Sequence, residues 1–263
     1  MREMESVGAA AGPTAAVVIP VLLYHSVSDA PPEHIAPYAV SPGVFARHLD
    51  LIASDHQALT VSELVASLDG TRPLPTNPVV ITFDDGFADN LEVAAGLLAA
   101  RSLAATVYVT TGYVGRPGML SWRGVEGLET AGLEVGAHAQ THIPLDELHP
   151  RDATDEILGS KEALEDRLGH EVASFAYPHG YSDSRVRRSV EAAGFRSACG
   201  VRNALSHGAD DRWNIARLTV MADTPLDRLE RWMRSEGAPV AARGEAVRTR
   251  VWRAARRMRR MAW

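Results

Sequence analysis

The stretch "VVITFDDGFADN", residues 79–90, decides the fold of this chain. Its first five residues are apolar or β-branched, which is typical of a buried strand. Two adjacent carboxylates, Asp84 and Asp85, follow at once and are succeeded by Gly86. Like charges this close repel each other, and removal from water increases the cost. The pair is explained either by an exposed turn, since Asp-Gly is common turn chemistry, or by a bound cation.

Apolar runs of this kind alternate along the chain with amphipathic segments, which favours parallel strands joined by crossover helices. About seven units predict a barrel-like α/β fold, although periodicity alone does not separate a barrel from a flat sheet. We expect one catalytic domain over residues 17–240. The predicted strands are 17–24, 79–83, 105–109, 133–137, 173–177, 196–200 and 215–220. The predicted helices are 41–55, 60–68, 89–101, 121–130, 150–168, 183–193 and 225–235.

The composition is that of an ordinary globular protein, with 46% hydrophobic and 23% charged residues among 263. A formal net charge of −6 gives no reason to expect a nucleic-acid partner. The single cysteine, Cys199, excludes an intrachain disulfide. Residues 1–16 are rich in Ala and Gly, lack the features of a secretory signal, and are expected to be flexible. No run approaches the roughly 18 apolar residues that a membrane span needs, so we expect a cytoplasmic protein.

The carboxyl-terminal segment, residues 241–263, differs from the rest of the chain. From Arg243 onward it holds eight Arg and one Glu, so it contributes +7 to the net charge of −6 and leaves −13 on residues 1–242. Its apolar residues recur at steps of three and four, which predicts a basic amphipathic helix. With Trp252 and Trp263, such a helix could lie peripherally on an anionic membrane. A helix docked on the acidic body or a partly disordered tail explains the pattern as well.

Chemically useful side chains follow three more of the predicted strands. His138 and His142 come after one strand and have the spacing of metal ligands, although such a pair alone is as often structural. His25 and His179 follow two others. Because functional sites gather at the carboxyl ends of barrel strands, we expect these residues to meet. One carboxylate and two imidazoles suit Zn²⁺ or another divalent transition metal, and the second carboxylate can then accept a proton from water.

The ordered motifs "TFDDG", "HAQTH" and "FAYPHG" resemble the first three motifs of the polysaccharide deacetylase family, also called carbohydrate esterase family four. The resemblance covers roughly residues 17–222. It implies a distorted (β/α)7-type barrel that removes acetyl groups from N-acetylated sugars, such as N-acetylglucosamine units, with one divalent metal. It also implies that Asp84 is the catalytic base and that Asp85, His138 and His142 bind the metal. Zinc is the expected metal, with cobalt and nickel as alternatives.

Three positions depart from the family pattern. Ala139 stands where Ser or Thr is frequent, which removes a loop-stabilising hydroxyl that Thr141 could replace. Ala173 stands where the family often places an Arg beside the base, and Arg217 is our candidate substitute for orienting Asp84. His179 occupies a position where Tyr is common. A backbone N–H at that position could stabilise the oxyanion whatever the side chain is.

The late Leu-x-His motif, which supplies the general acid of the family, is missing, because no His follows His207. The first predicted strand instead ends in Leu-Tyr-His at His25. A closed barrel makes its first and last strands neighbours, so a circularly shifted family member could carry this motif first. We therefore predict that His25 protonates the leaving amine, with a buried core histidine as the alternative. Candidate sugar-stacking residues, each with a core or loop alternative, are Tyr24, Tyr181 and Trp122.

Three functional hypotheses follow. The first is metal-dependent N-deacetylation of a carbohydrate, whose substrate could be a lipid-linked or membrane-proximal sugar if the basic tail binds membrane. The second is another hydrolysis at the same site, either of an O-acetyl ester or of an amide that is not on a sugar. The third belongs to a different class, a carbohydrate-binding protein on this scaffold that has lost catalysis.

Overall fold

The predicted strands and helices recur in the structure, a computed structural model that describes residues 17–242. Within this range no helix is both long and apolar enough to cross a membrane. The strands are β1 (Val18–Ile19), β2 (Val21–Tyr24), β3 (Ser26–Val27), β4 (Ala39–Val40), β5 (Gln57–Leu59), β6 (Pro78–Phe83), β7 (Thr106–Val109), β8 (Glu134–Ala137), β9 (Ser174–Ala176), β10 (Ser197–Cys199), β11 (Ser206–His207) and β12 (Leu218–Thr219). The helices are α1 (Pro42–Asp55), α2 (Val61–Leu68), α3 (Ala95–Ala99), α4 (Trp122–Thr130), α5 (Pro150–Leu168), α6 (Ser184–Ala192) and α7 (Leu226–Met233).

Seven strands form one curled parallel sheet in the order β10-β9-β8-β7-β6-β2-β12, and β5 also pairs with β6. A parallel bridge between Cys199 and Ile215 links β10 to the segment before β12, which brings the two edges together. The predicted distorted (β/α)7-type barrel is confirmed. The first and last strands of the predicted set, β2 and β12, are neighbours, with Leu22 opposite Leu218. The predicted strand 17–24 is divided into β1 and β2. The sequence analysis missed β5, β11 and the pair β3 with β4.

Helix starts follow the sequence signals. The Ser41 side chain accepts a hydrogen bond from the Val44 backbone N–H at 3.3 Å, and Pro42 is the first helical residue of α1, as predicted. At α2, Thr60 and Glu63 form a reciprocal capping box. These caps satisfy N–H groups that the first helical turn leaves without partners.

The predicted helix 89–101 is less regular than expected. It begins with a π-helical turn, Asn90–Ala94, and continues as α3. The Asn90 side chain is fully buried and donates a hydrogen bond to the His25 carbonyl at 2.8 Å. Such wide turns are frequent at functional sites, and this one directly follows the two adjacent carboxylates.

At the amino-terminal end of the barrel, the carboxylate of Glu134 links several elements by hydrogen bonds. Glu134, at the start of β8, accepts hydrogen bonds from the Thr106 hydroxyl at 2.7 Å and the Ser174 hydroxyl at 3.1 Å. It also accepts one from the Ser62 backbone N–H at 3.2 Å. These contacts tie β7, β8, β9 and α2 together at this end. The carboxyl-terminal end, where the polar motifs lie, carries the cleft.

Candidate active site

A cleft of about 980 Å³ opens at the carboxyl ends of the strands. The sequence motifs that line this cleft follow different strands. The sheet in this way brings distant parts of the sequence together. Among the side chains that line this cleft are His25, Asp84, Asp85, His138, His142, His179 and Tyr181. Except for Arg217, Tyr24 and Trp122, this set contains every predicted site residue.

Asp84 and Arg217 form a buried ion pair beneath the cleft. Both guanidinium NH₂ groups donate to the Asp84 carboxylate, at 2.7 and 2.8 Å, and Arg217 is fully buried. The Arg217 Nε donates to the Gly200 carbonyl at 3.0 Å. Burial alone would raise the pKa of Asp84, but the charge and hydrogen bonds of Arg217 outweigh burial and lower it. Asp84 is therefore an oriented carboxylate at neutral pH. The assignment of Asp84 as the base remains a prediction.

Asp85 faces two histidines and not Arg217. Its Oδ1 lies 3.2 Å from His142 Nε2 and 3.5 Å from His138 Nε2. One ligand atom from each of these three residues lies within 4.8 Å of the others. The two adjacent carboxylates thus differ in their main partners: Asp84 is bound by Arg217, with His138 Nε2 at 3.7 Å, and Asp85 points toward both imidazoles.

The protonation state of His138 suits a ligand role. His138 is 1% exposed, and burial lowers its pKa to about 4, so the ring is neutral at pH 7. Its Nδ1 lies 2.8 Å from the Ala176 carbonyl, which assigns the proton to Nδ1 and leaves the Nε2 lone pair toward Asp85. Burial acts against charging His142 as well, but the nearby carboxylate of Asp85 outweighs burial and raises its pKa.

A divalent cation fits this cluster. The Asp85 Oδ1 is buried and makes no hydrogen bond of good geometry to any group of residues 17–242. A buried carboxylate oxygen without a donor is costly, and a cation held jointly with His138 and His142 would remove that cost. One carboxylate with two imidazoles is a donor set that zinc and related transition metals accept.

The two ligand loops adopt backbone conformations that non-glycine residues rarely take. Asp85 has a φ of 75°, Ala139 of 59° and His142 of 62°. Left-handed residues persist only where their surroundings hold them, and they concentrate at functional sites. The loop that carries both histidines is fixed by Glu156 of α5. Its carboxylate accepts from the Thr141 hydroxyl at 2.6 Å and from the Gln140 and Thr141 backbone N–H groups at 2.9 and 2.8 Å.

The Thr141 hydroxyl thus anchors the loop that lacks a hydroxyl at Ala139, as the sequence suggested. We expect Glu156→Gln to weaken metal affinity about 10- to 100-fold, because a carboxamide cannot accept all three hydrogen bonds that orient the histidine loop. Competition with a chromophoric chelator measures this. Glu162→Gln, on an exposed position of the same helix, is the matched control, and equal affinities in the two variants would contradict the role of Glu156.

His25 lines the cleft beside the two carboxylates. Tyr24 pairs with Phe83 across β2 and β6, so His25 and Asp84 are the next residues of adjacent strands. The His25 ring packs on Tyr38 with centroids 5.1 Å apart, and its Nδ1 is buried without a hydrogen-bond partner in the described part of the chain. The position accords with a proton donor, and the role stays a prediction.

The aromatic candidates for substrate contact lie in two different environments, the cleft and the core. Tyr181 and His179 line the cleft, and their rings stack with centroids 6.0 Å apart. His179 also contacts the His142 ring at 4.4 Å, so this turn borders the ligand loop. Its backbone has a φ of 57°. Neither an oxyanion role for His179 nor substrate stacking by Tyr181 is tested by this geometry.

Tyr24 takes the core alternative and not the sugar-stacking one. Its ring is fully buried between Phe45 and Phe83, and its hydroxyl lies 3.1 Å from His48 Nδ1, so no sugar can reach it. Alternation along β2 explains this, because neighbouring side chains point to opposite sides. Trp122 likewise takes the core alternative and not the sugar-stacking one. It begins α4, packs against the main core and does not line the cleft.

Sequence reasoning missed the cleft wall that α7 supplies. Arg228, Arg231 and Trp232 line the cleft, and Asn203 lies between the strands nearby. The sequence did indicate a shared surface here. Arg228, Arg231 and Trp232 are three and four residues apart within a predicted helix, so they lie on one face of it. The basic carboxyl-terminal segment and the amino-terminal segment lie outside the described residues.

Known proteins share this fold. The PplD deacetylase of Streptococcus pyogenes, solved in complex with acetate, superposes with a TM-score of 0.77 over 83% of this chain and 99% of its own, at 23% sequence identity. BC0361, a polysaccharide deacetylase from Bacillus cereus, gives a TM-score of 0.73 over 83% of this chain and 69% of its own, at 24% identity. At this identity the likeness establishes the fold alone.

Sequence comparison finds a relative and a matching family. YxkH of Bacillus subtilis (strain 168) is 24% identical over 179 residues, which are 68% of this chain. The match spans 62% of the length of YxkH. Residues 71–198 match the family described as polysaccharide deacetylase, and this range holds all three quoted motifs. These residues match that family, and the resemblance drawn from the motifs of this chain is confirmed.

Proposed function

We propose that the protein is a metal-dependent hydrolase that removes N-acetyl groups from an N-acetylated carbohydrate and releases acetate. The observation that carries this proposal is the division between two adjacent carboxylates. Asp84 is held as an anion by Arg217, while Asp85 faces His138 and His142. A base and a cation site would then lie one residue apart. The related deacetylases, one of them bound to acetate, support the same class of reaction.

In this mechanism Asp84 accepts a proton from the attacking water, and Arg217 keeps the carboxylate oriented and ionised until then. Asp85, His138 and His142 would hold one divalent ion, zinc being our preference over cobalt and nickel. That ion would supply Lewis-acid polarisation of the acetamide carbonyl. The backbone around His179 would donate to the developing oxyanion. His25 would protonate the leaving nitrogen as acetate departs.

The candidate proton donor, His25, favours an amide substrate over an ester. An amine is a poor leaving group unless it is protonated, whereas an alkoxide leaves more readily, so a donor is needed mainly for amides. His25 adjoins Asp84 in register and lines the same cleft, and this places an acid candidate beside the base. Tyr181 and Trp232 would contact the sugar within the cleft.

The first experiment measures acetate release from a panel of N-acetylated sugars. Metal-stripped protein is reconstituted separately with Zn²⁺, Co²⁺ or Ni²⁺. We expect release that depends on the metal and that is lost in Asp84→Asn. If one metal binds per chain but no substrate is hydrolysed, a binding protein on this scaffold becomes the better reading. If no metal binds, the site assignment itself is wrong.

The His25 assignment gives a prediction that separates two hydrolytic activities. We expect His25→Ala to lower kcat/KM on an N-acetyl substrate about 100-fold, since general acid catalysis contributes on this scale, and to lower it much less on an O-acetyl analogue. Parallel kinetics on the two substrates measure the difference. His170→Ala, at an exposed position that does not line the cleft, serves as the control. Equal losses on both substrates would argue that His25 is structural.

A further inference from the structure

The cleft wall formed by α7 carries a positive charge that the deacetylation chemistry does not use. Arg228 and Arg231 both line the cleft, three residues apart on one face of the helix. Trp232 of the same face is 6% exposed and anchors the helix against the core. We infer that this wall binds an anionic group on the substrate, so that the favoured carbohydrate carries a carboxylate or phosphate. This inference rests on the proposed function.

The distribution of charge around the cleft supports this. The chain has 33 acidic residues and a net charge of −6, yet among residues 17–242 the only acidic side chains that line the cleft are Asp84 and Asp85. Asp84 is neutralised by Arg217, and Asp85 belongs to the cation site. The wall formed by α7 is therefore a basic surface beside the site, in a protein whose net charge is negative. Such a surface would attract an anionic ligand.

The two arginines differ in what they already contact. Arg231 pairs with Asp227 at 3.2 Å, but both side chains are more than half exposed, so this pair is weak and screened. Arg228 is exposed and has no ion-pair partner within the described residues. At least one guanidinium is therefore free to form the paired hydrogen bonds with which arginine recognises carboxylates and phosphates.

The arginine stem and the neighbouring amide are positioned for this. A Cβ on Gly237 would lie 3.2 Å from Arg231 Cβ and 3.3 Å from its Nε, so the backbone at this glycine packs closely on the Arg231 side chain. Asn203 also lines the cleft, and its Oδ1 accepts from the Thr219 backbone N–H at 3.3 Å. That hydrogen bond turns the Asn203 amide so that its NH₂ donors remain available.

The test compares substrates that differ in charge. One pair is a hyaluronan tetrasaccharide, which bears carboxylates, against a chitin tetrasaccharide, which is neutral. The other pair is N-acetylglucosamine 6-phosphate against N-acetylglucosamine. Dissociation constants from calorimetry on metal-free protein, and kcat/KM for acetate release from reconstituted protein, are measured at low and high ionic strength.

We expect at least one anionic probe to bind about tenfold more tightly than its neutral partner at low salt, with the advantage shrinking at high salt. The pair that discriminates identifies carboxylate or phosphate as the group. The double variant Arg228→Gln with Arg231→Gln should remove the advantage and leave affinity for the neutral probes unchanged. Arg234→Gln, at the end of the same helix and not in the cleft lining, should keep it.

Equal binding within both pairs, or an advantage that survives in the double variant, would overturn the inference. The single variant Arg228→Gln repeats the test with less perturbation. The binding arm does not depend on catalysis, so the two failures are distinguishable. Neutral sugars that are hydrolysed without charge preference would leave the proposed function standing and remove only the anionic group. A charge preference without any acetate release would remove the proposed function instead.

Discussion

Replacing Asp84 by Asn is expected to lower kcat/KM for acetate release about a thousand-fold, because general base catalysis of this kind contributes 10²–10⁴-fold. The amide is nearly isosteric with the carboxylate but cannot accept a proton from water. Metal affinity should change little, since Asp85 and the two histidines, and not Asp84, form the cation cluster. Steady-state kinetics together with metal titration of the same preparation measure both quantities.

Asp85→Asn is the matched comparison, since it makes the same chemical change one residue away. We expect this variant to lose metal affinity and, as a consequence, activity. The two variants should therefore separate, with metal bound but no catalysis in the first and no metal bound in the second. If Asp84→Asn lost the metal as well, the division of labour between the carboxylates would be contradicted.

Arg217→Met is expected to lower the free energy of unfolding by about 3–5 kcal/mol, the usual cost of removing one partner from a buried ion pair. Arg217 is fully buried and Asp84 is 3% exposed, so the remaining carboxylate would be almost removed from water and would lose its counter-charge. The Gly200 carbonyl would also lose the hydrogen bond from Arg217 Nε. Urea denaturation of the metal-free protein, followed by circular dichroism, measures the change.

Two controls accompany this measurement. The double variant Arg217→Met with Asp84→Asn should recover part of the lost stability, because no unpaired charge is then buried. Arg212→Met removes an exposed arginine whose ion pair with Asp69 is 41% and 48% exposed, and it should change stability by less than about 0.5 kcal/mol. A loss in Arg217→Met no larger than in Arg212→Met would show that the buried pair contributes nothing.

Local patterns were sufficient for the framework of the fold. The apolar run before Asp84 specified β6, and the Ser-Pro pair at 41 and 42 specified the start of α1, because burial and capping act within a few residues. β5 was missed because three residues give too short a pattern. The π-helical turn at Asn90–Ala94 was missed because a helical period does not show where a turn widens.

For the site, the sequence motifs predicted which residues lie at the ends of strands. They did not predict which way a neighbouring side chain points. The rule that parallel strands end at one edge brought His25, Asp84 and His138 to the same cleft. It did not predict that Tyr24, one residue earlier, is fully buried against Phe45. It also did not predict the contribution of α7, because which helix face borders a cleft depends on how the chain returns after β12.

The pairing of β2 with β12 has a consequence for how the protein folds. These strands come from opposite ends of the described chain, and the contact between them joins Leu22 to Leu218. Pairings between segments so distant in sequence close long loops, and folds rich in such pairings fold slowly. Arg217 precedes β12, so Asp84 acquires its buried counter-charge only once the segment before β12 has joined the barrel. During synthesis on the ribosome the barrel therefore stays open, with its reactive carboxylates hydrated, until almost the whole domain has emerged.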